Sequence, residues 1–228
     1  SRATVGVTHN LQITQSDCAI CGQCLTHCPT GALRERDDTL QLLSMQGAFA
    51  DPDKVTIVQV APAVRSAWAE ELGLDREEAT PGRLVAALKA LGFDYVFDTD
   101  FGADLTIMEE GSEFLERMRH REDYTFPMFT SCCPGWVRFL KSQYPEMIGQ
   151  LSTAKSPHQM QGAVTKTYLA EKFGLDPDQV YNVSVMPCIA KKKEAEIPNI
   201  NDSGHGRDVD LVLTTQEIIT MIKESGIR

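Results

Sequence analysis

The seven cysteines of this 228-residue chain are the residues whose spacing could support chemistry. Four lie between positions 18 and 28, two are adjacent at 132 and 133, and one is at 188. Clustered cysteines in a chain of this kind indicate metal ligands more often than disulfide bonds. The cysteine content is also too low for a small secreted disulfide scaffold. We therefore expect metal binding both near the N-terminus and at a site assembled from distant cysteines.

The first cysteine group follows the spacing C-x2-C-x2-C-x3-C-P, through Cys18, Cys21, Cys24 and Cys28. Bacterial ferredoxins use this run to hold a 4Fe–4S cluster, whereas zinc sites usually take two separated cysteine pairs; zinc is the alternative. In two-cluster ferredoxins the fourth cysteine of a run ligates the other cluster. Cys28 therefore either closes the same cluster or serves a companion run upstream. The chain opens without methionine, which favours the second arrangement and a module truncated at its N-terminus.

The second cysteine group is Cys132, Cys133 and Cys188. Pro134 follows Cys133 and Pro187 precedes Cys188, and prolines stiffen the turns that would carry these two thiols. Two fixed thiols could each hold an iron of a second cluster. Cys132 cannot easily reach the same iron as its neighbour, so it is free for another task. A thiol beside a metal can carry protons because its pKa lies close to neutrality.

The elements that must position these cysteines alternate between strand and helix. The predicted strands cover residues 55–60, 95–98, 126–129, 180–185 and 210–214. The predicted helices cover residues 81–91, 102–120, 136–144 and 157–173, with a last helix capped by Thr215. This order predicts an α/β fold with a mostly parallel sheet and helices on both faces. Because ligands bind beyond the carboxyl ends of such strands, all three cysteines of the second group are expected at one edge of the sheet.

The predicted helix 81–91 has clear boundary signals. Thr80 is the expected N-cap, a proline follows at the first helical position, and Gly92 is the expected end. Its expected apolar stripe consists of Leu84, Val85, Leu88 and Leu91. For the whole chain we predict two domains, a ferredoxin-like iron–sulfur module in residues 1–45 and the larger α/β part in residues 46–228.

Charge and hydropathy exclude several classes of function. The formal net charge is -10, and an acidic surface attracts neither nucleic acid nor an anionic membrane. No apolar run approaches the roughly 18 residues that a membrane-spanning helix needs. We therefore expect no nucleic-acid partner and no membrane insertion. A cytoplasmic location is expected, with the periplasm left open.

Two segments carry a resemblance to a known family. Residues 130–136 read TSCCPGW and residues 186–194 read MPCIAKKKE. They closely resemble two signatures of the catalytic domain of iron-only (FeFe) hydrogenases, the second of which is MPCxxKxxE. The similarity extends through residues 58–65, 106–117 and 152–156 and covers nearly the whole chain.

The resemblance implies an H-cluster, in which a 4Fe–4S cubane joins a two-iron subcluster bearing CO, cyanide and a bridging azadithiolate. By similarity, Cys133 and Cys188 ligate the cubane, and Cys132 is the proton shuttle. Lys191 would hydrogen-bond a cyanide, which is a charge-assisted contact to an anionic ligand. The residues that would line the two-iron pocket and keep it apolar are Pro62 and Met186.

The resemblance also implies a proton relay between Cys132 and solvent. The matching positions are Glu110, Ser152, Glu113 and Arg117. The two glutamates and the arginine lie at i, i+3 and i+7, on one face of the predicted helix. Taken alone, that pattern is more typical of a solvated face with an ion pair. Lys192 and Lys193 are expected at the surface, and His158 stands where many relatives carry glutamine.

The family has a third signature with two more cysteines, and no cysteine follows Cys188 here. The expectation is therefore part of a longer catalytic subunit, inactive as given, whose full form oxidises dihydrogen reversibly to protons and electrons. Electrons would pass through the N-terminal cluster to a carrier such as ferredoxin or a flavin subunit that oxidises NAD(P)H, in a multi-subunit complex. The alternative is a non-catalytic, hydrogenase-like iron–sulfur assembly or electron-relay protein.

Overall fold

A parallel four-stranded sheet forms the centre of the molecule. The computed structural model describes residues 11–227, so the first ten positions of the predicted N-terminal module lie outside the described residues. The strands are β1 (Val55–Val60), β2 (Tyr95–Asp98), β3 (Val180–Met186) and β4 (Leu211–Thr214). All three pairings are parallel, and the spatial order is β2-β1-β3-β4. The predicted α/β class is confirmed.

Helices connect and cover these strands. They are α1 (Gln23–His27), α2 (Leu40–Leu43), α3 (Pro62–Ala67), α4 (Pro81–Leu91), α5 (Asp100–Arg119), α6 (Pro134–Gln143), α7 (Pro157–Val164), α8 (Ala170–Phe173), α9 (Ala190–Glu194) and α10 (Thr215–Glu224). A π-helical segment, Thr165–Leu169, joins α7 to α8. Within residues 11–227, no helix combines the length and the apolar character needed to cross a membrane.

One face of the sheet is apolar. Because side chains alternate along a strand, Val58 and Val60 of β1 point to the same side as their register partners Val183 and Val185 of β3. These four valines are buried in a cluster that includes side chains of α4 and α10. We call this side the apolar face. Burial of hydrocarbon here contributes about 25 cal/mol per Å² removed from water.

The opposite side is polar toward the carboxyl ends of the central strands, and we call it the polar face. Gln59 of β1 and Ser184 of β3 are register partners there, and both are fully buried. Gln59 Nε2 donates to the carbonyl oxygen of His158 in α7 (3.0 Å), and Ser184 Oγ lies 3.2 Å from His158 Nδ1. Helix α7 therefore lies against the polar face and is held there by hydrogen bonds.

Three local predictions need correction. The predicted strand 126–129 is wrong, because only a single bridge, from Phe129 to Leu151, forms there, and Pro127 has no N–H to extend a ladder. The last helix is capped by Thr214, whose side chain accepts from Glu217 N in a capping box, and not by Thr215. In α4, the N-cap Thr80 is confirmed, but Val85 is 40% exposed and lies off the buried stripe.

Helices α5 and α7 approach closely at Gly102. A Cβ atom at this position would collide with the carbonyl oxygen of Pro157, and Gly102 N donates to Gln161 Oε1 (3.0 Å). Only glycine permits such close contact between backbones. The distance between α5 and α7 is therefore set by the absence of a side chain at residue 102.

Candidate functional site

The carboxyl ends of β1 and β3 form the topological switch point of the sheet. From this central pair the chain extends to β2 on one side and to β4 on the other, and open parallel sheets bind ligands at such points. Pro62 begins α3 directly after β1 and is exposed, whereas Met186 ends β3 and is 5% exposed. Ala61 N donates to Val185 O (3.0 Å), which fixes the two strand ends side by side.

Helix α9 joins the two cysteine-containing segments at this edge. Lys191 N donates to Cys188 O (3.2 Å), and the helix begins two residues after the cysteine. Lys191 Nζ donates to the backbone oxygen of Cys132 (2.6 Å) and pairs with Glu194 Oε2 (2.7 Å). Two segments that are far apart in sequence are thereby brought together at this edge, where the sequence predicts Cys132, Cys133 and Cys188.

Cys133 occupies the N-cap of α6. Its Sγ accepts a hydrogen bond from Trp136 N (3.4 Å), and Pro134 takes the first helical position. The sulfur therefore lies where the first turn of the helix presents unpaired amides and partial positive charge. Cys133 is exposed, whereas its neighbour Cys132 is half-buried.

A buried ionic network fixes the position of the Lys191 side chain. Glu194 Oε2 lies 2.7 Å from His158 Nε2 as well as 2.7 Å from Lys191 Nζ. Burial alone raises the pKa of Glu194, but hydrogen bonds from His158 and Lys191 outweigh it and bring the pKa to about 2. Burial lowers the pKa of His158 below its usual value. Lys191 is thus fixed by an anionic carboxylate at the edge of the polar face.

Three of the four predicted relay residues form one connected cluster. Ser152 Oγ donates to Glu113 Oε2 (2.7 Å), and Arg117 Nη2 donates to Glu113 Oε1 (2.6 Å). Arg117 is 5% exposed and also donates to Leu151 O. Burial raises the pKa of Glu113, but the bonds from Ser152 and Arg117 outweigh it and leave the pKa below its ordinary value. Glu113 and Thr153 also line a surface pocket of about 660 Å³, so the cluster borders solvent.

The fourth relay residue, Glu110, contacts the segment next to Cys132. Ser131 N donates to Glu110 Oε1 (3.4 Å), and Ser131 Oγ donates to Ser152 O (2.7 Å). Among the residues that the structure describes, no direct hydrogen bond joins Glu110 to Cys132 or to Ser152. Glu110 thus contacts Ser131, the residue that precedes Cys132. Ser131 in turn donates to Ser152, so it connects Glu110 to Ser152.

The first cysteine run folds as a tight loop. Gly22 has φ 80° and precedes α1, and Ile20 N donates to Cys18 Sγ (3.3 Å). Hydrogen bonds from the Leu33 amide and from Thr30 lower the pKa of the Cys28 thiol to about 7. Cysteine binds a metal as the thiolate, and amides directed at the cysteine sulfurs are therefore suited to a metal-binding loop.

This loop lies against the second cysteine region. Arg138 of α6 donates through Nε to the carbonyl oxygen of Cys18 (3.0 Å). Gly22 faces the side chain of Ile189, because a Cβ atom on it would lie 3.1 Å from Ile189 Cδ1. The loop therefore packs onto the segments that follow Cys133 and Cys188.

The donor sets can be compared with the clusters that the sequence implies. A 4Fe–4S cluster takes four cysteine thiolates. The run from Cys18 to Cys28 offers four thiols on the loop and the short helix α1, so this donor set fits a ferredoxin-type cluster. Cys133 and Cys188 offer two thiols at the sheet edge, half of the four thiolates that such a cluster takes.

Sequence reasoning missed several charged residues of this region. Lys192 was expected at the surface, but its side chain is 8% exposed and paired with Asp38 and Glu217, so that expectation is wrong. Glu194 belongs to the second signature but carried no assigned role. Arg138 gave no signal, since one arginine in an amphipathic helix is usually exposed.

The fold and these paired cysteine segments define an iron-only hydrogenase domain. The chain belongs to the family described as iron only hydrogenase large subunit, C-terminal domain, whose model matches residues 54–228. This confirms the resemblance seen in the two signatures.

Comparisons with individual proteins agree. The chain is 48% identical to the NADP-reducing hydrogenase subunit HndD of Solidesulfovibrio fructosivorans, over 99% of this chain and 38% of that protein. It is 46% identical to the periplasmic Fe hydrogenase large subunit of Nitratidesulfovibrio vulgaris, over 96% of this chain and 59% of that protein. A solved apo FeFe-hydrogenase from Chlamydomonas reinhardtii matches with a TM-score of 0.72 and 49% identity, over 81% of this chain and 48% of that one.

The chain is also similar to a protein that is named for cluster assembly and not for hydrogenase activity. Cytosolic iron-sulfur assembly component 3 of Bos taurus is 35% identical over 95% of this chain and 47% of that protein. The chain thus spans less than two thirds of the length of each of these relatives. These relatives comprise hydrogenases and an assembly protein, so they establish the family and not the reaction.

Proposed function

We propose that this chain forms part of the catalytic subunit of an FeFe-hydrogenase, which oxidises dihydrogen reversibly to protons and electrons. The observation that carries the proposal is the hydrogen bond from Lys191 Nζ to Cys132 O (2.6 Å). It joins the two signatures beside the end of β3. An assembly protein has no evident need for a fixed ammonium group next to a half-buried thiol.

The proposed cofactor of this edge is the H-cluster, a 4Fe–4S cubane with a two-iron subcluster bearing CO, cyanide and azadithiolate. When bound, it supplies the redox chemistry of dihydrogen. Cys133 and Cys188 would be two of its cubane ligands, and the others would have to come from outside the 228 residues. Lys191 offers charged N–H donors to an anionic ligand. Met186, buried at the end of β3, and Pro62 would keep the adjacent pocket apolar.

Proton movement is assigned to side chains of this chain. Cys132 would hold a proton at Sγ, and Glu110, which accepts from the neighbouring Ser131 N rather than from the thiol, would be the next group of the relay. Ser152 Oγ and Glu113 Oε2 (2.7 Å) form the next step toward solvent. Arg117 keeps Glu113 in its carboxylate form and in position, because the guanidinium is fixed by backbone carbonyls. General acid–base groups work at such hydrogen-bond distances.

Electron transfer is assigned to a 4Fe–4S cluster held by the cysteine run of a module in residues 1–45, with residues 46–228 as the N-terminal part of the catalytic domain. The proposed partner is a carrier such as ferredoxin or a flavin subunit that oxidises NAD(P)H, within a multi-subunit complex. The name of the HndD relative, a hydrogenase subunit, supports such a complex. Copurification of the tagged full-length protein from its native cells would test it; recovery of the hydrogenase without any redox partner would contradict it.

We propose the cytoplasm as the compartment, because seven free cysteines are best preserved where thiols stay reduced. Fractionation of native cells, followed by immunoblotting, tests this location. Recovery of the protein in the periplasmic fraction, as the name of one relative would suggest, would reject it.

The test of the main proposal uses the complete protein that contains this chain, purified without oxygen. Infrared bands from metal-bound CO and cyanide, together with dihydrogen-dependent dye reduction, are expected. Glu113→Gln should reduce turnover by about 100-fold or more, the usual worth of a positioned acid or base. Glu116→Gln on the same helix is the matched control, since Glu116 is 55% exposed, and it should leave turnover unchanged.

A second candidate function is that of a non-catalytic iron–sulfur assembly protein. The observation in its favour is the 35% identity to the assembly component of Bos taurus. Such a protein would show iron–sulfur absorbance without infrared bands of CO or cyanide after anaerobic maturation. That result would replace the hydrogenase proposal with this one.

A further inference from the structure

Lys192 is a buried cation that the proposed reaction does not use. Its Nζ donates to Glu217 Oε1 (2.7 Å), to Asp38 Oδ2 (2.9 Å) and to the carbonyl oxygen of Arg36 (2.7 Å). Its three N–H donors therefore all have partners, and both carboxylates are almost completely buried. Desolvating a lysine is costly unless the charge is paired in this way.

The partners of Lys192 come from separate parts of the chain. Glu217 belongs to the first turn of α10, where its other oxygen, Oε2, accepts from Thr214 N (2.7 Å) in the capping box. Asp38 and Arg36 lie in the segment that leads from Cys28 to α2. Asp38 N also donates to Glu217 Oε1 (2.8 Å), so this segment is held by its backbone as well as by its side chains.

Two further contacts attach the same segment. Glu35 Oε1 accepts from Thr214 Oγ1 (2.9 Å) at the end of β4, and Arg36 pairs with Glu196 just beyond α9 (3.1 Å). The segment 35–38 is therefore fixed against β4, α9 and α10 together. It is the part of the chain that connects the first cysteine run to the body of the protein.

The lysines of α9 differ in what they hold. Lys191 reaches Cys132 in the second cysteine region, whereas Lys192 reaches the segment after Cys28. The third, Lys193, is 44% exposed and pairs with Glu196 at the surface. A five-residue helix that starts two residues after Cys188 thus contacts both cysteine regions.

We propose that Lys192 is a positioning residue, which locks the N-terminal cluster module onto the catalytic body and so fixes the distance between the two cluster sites. This inference rests on the proposed cluster at Cys18 to Cys28. Electron transfer between metal centres weakens steeply as their separation grows. Without the Lys192 charge, Asp38 and Glu217 would face each other without a shared cation. Arg36 would still pair with Asp38 (2.9 Å), but it lies on the same segment, so the repulsion between the two buried carboxylates would weaken the attachment of the segment 35–38.

The test uses the complete protein with its clusters assembled and reduced. Lys192→Met, which keeps the length of the side chain but removes the charge, is compared with Lys193→Met. Electron paramagnetic resonance should show each cluster at full intensity in both variants. Spin–spin coupling between the N-terminal cluster and its neighbour should be lost in Lys192→Met and retained in Lys193→Met. Coupling in Lys192→Met equal to that of the unmodified protein would overturn the inference.

A second variant and a second measurement distinguish failure of the docking inference from failure of the proposed function. Asp38→Asn, which leaves the bonds of Lys192 to Glu217 and to Arg36 O, should weaken the coupling less than Lys192→Met does, and it serves if the lysine variant fails to fold. Amide hydrogen exchange over residues 29–38 should accelerate in Lys192→Met but not in Lys193→Met; equal exchange in the two variants would refute the docking. Absence of an N-terminal cluster signal in the unmodified protein would instead contradict the proposed function, while the exchange arm still tests the docking.

Discussion

The two faces of the sheet use the same two central strands for different purposes. On the apolar face, Val58 and Val183 pack among the side chains of α4 and α10. On the polar face, one residue further along each strand, Gln59 and Ser184 are just as buried but hydrogen-bond to His158. One face stabilises the fold by removing hydrocarbon from water, and the other positions charged groups.

This difference shows how the site is supported. A buried polar group is destabilising unless its hydrogen bonds are made, so the polar face is sensitive to any missing partner. Its network extends from Ser184 through His158 and Glu194 to Lys191, which contacts Cys132. The apolar face is sensitive to lost volume, and a defect there should leave the charged network in place. Changes on the two faces should therefore be distinguishable.

The largest effect is expected when the polar network is interrupted. Glu194→Ala would leave Lys191 and His158 without their anion, so the free energy of unfolding should fall by about 3–5 kcal/mol. Urea denaturation monitored by circular dichroism measures it. The nearby Glu196→Ala is the control, because its surface ion pairs should contribute about 0–1 kcal/mol. Equal decreases in the free energy of unfolding of the two variants would mean that the buried network contributes no more to stability than a surface ion pair does.

A cavity on the apolar face should give the next largest effect. Leu88 is 1% exposed, and Leu88→Ala should lower the free energy of unfolding by about 2–5 kcal/mol through lost burial and the void left behind. Val85→Ala on the same helix, at a position 40% exposed, should change it by about 0.5 kcal/mol or less. If both substitutions lower the free energy of unfolding equally, α4 does not pack on the sheet through Leu88.

The pH dependence of stability should separate the faces further. The pKa of His158 in the folded protein lies below 6.5 because of burial, so the folded state binds a proton less readily than the unfolded state. This contribution to stability is complete above pH 6.5 and is lost as the pH falls. His158→Gln should therefore flatten the decline in stability on the acid side of pH 6.5, whereas Leu88→Ala should keep its slope. A variant with the slope of the unmodified protein would contradict this account.

The smallest effect is expected from a single neutral hydrogen bond. Ser184→Ala removes the bond to His158 Nδ1, and the free energy of unfolding should fall by about 0.5–1.5 kcal/mol. Thermal denaturation of Ser184→Ala and Glu194→Ala under the same conditions would show which variant loses more stability. A loss from Ser184→Ala as large as that from Glu194→Ala would show that the charge in this network contributes no more than the hydroxyl.

The sequence was sufficient for elements whose signals are local. The β-branched runs 55–60 and 180–185 identified the central strands, and Thr80 with Gly92 bounded α4. The cysteine spacing and the two signatures indicated which residues meet at the end of β3. The contact of Lys191 with Cys132 agrees with this prediction, and the ligand roles of the cysteines stay predictions.

Other features depend on partners that are distant in sequence. Residues 126–129 resemble a strand in composition, but a strand needs a neighbour in register, and only Phe129 finds one, in a single bridge. Lys192 stands among three lysines, which is typical of a solvated stretch. Its burial follows from carboxylates 154 and 25 residues away, at Asp38 and Glu217, and no local pattern encodes them.

The missing side chain at Gly102 has a consequence for the acidic residues of α5. Even a methyl group there would act as a wedge against Pro157 and move α5 outward, taking Glu110 and Glu113 with it. Ser152, on a separate loop, would stay behind. In the proposed relay, such a shift would separate Glu113 from Ser152 Oγ although no relay residue had been replaced, and a mutagenesis screen would mistake this change of position for the loss of an acid or base.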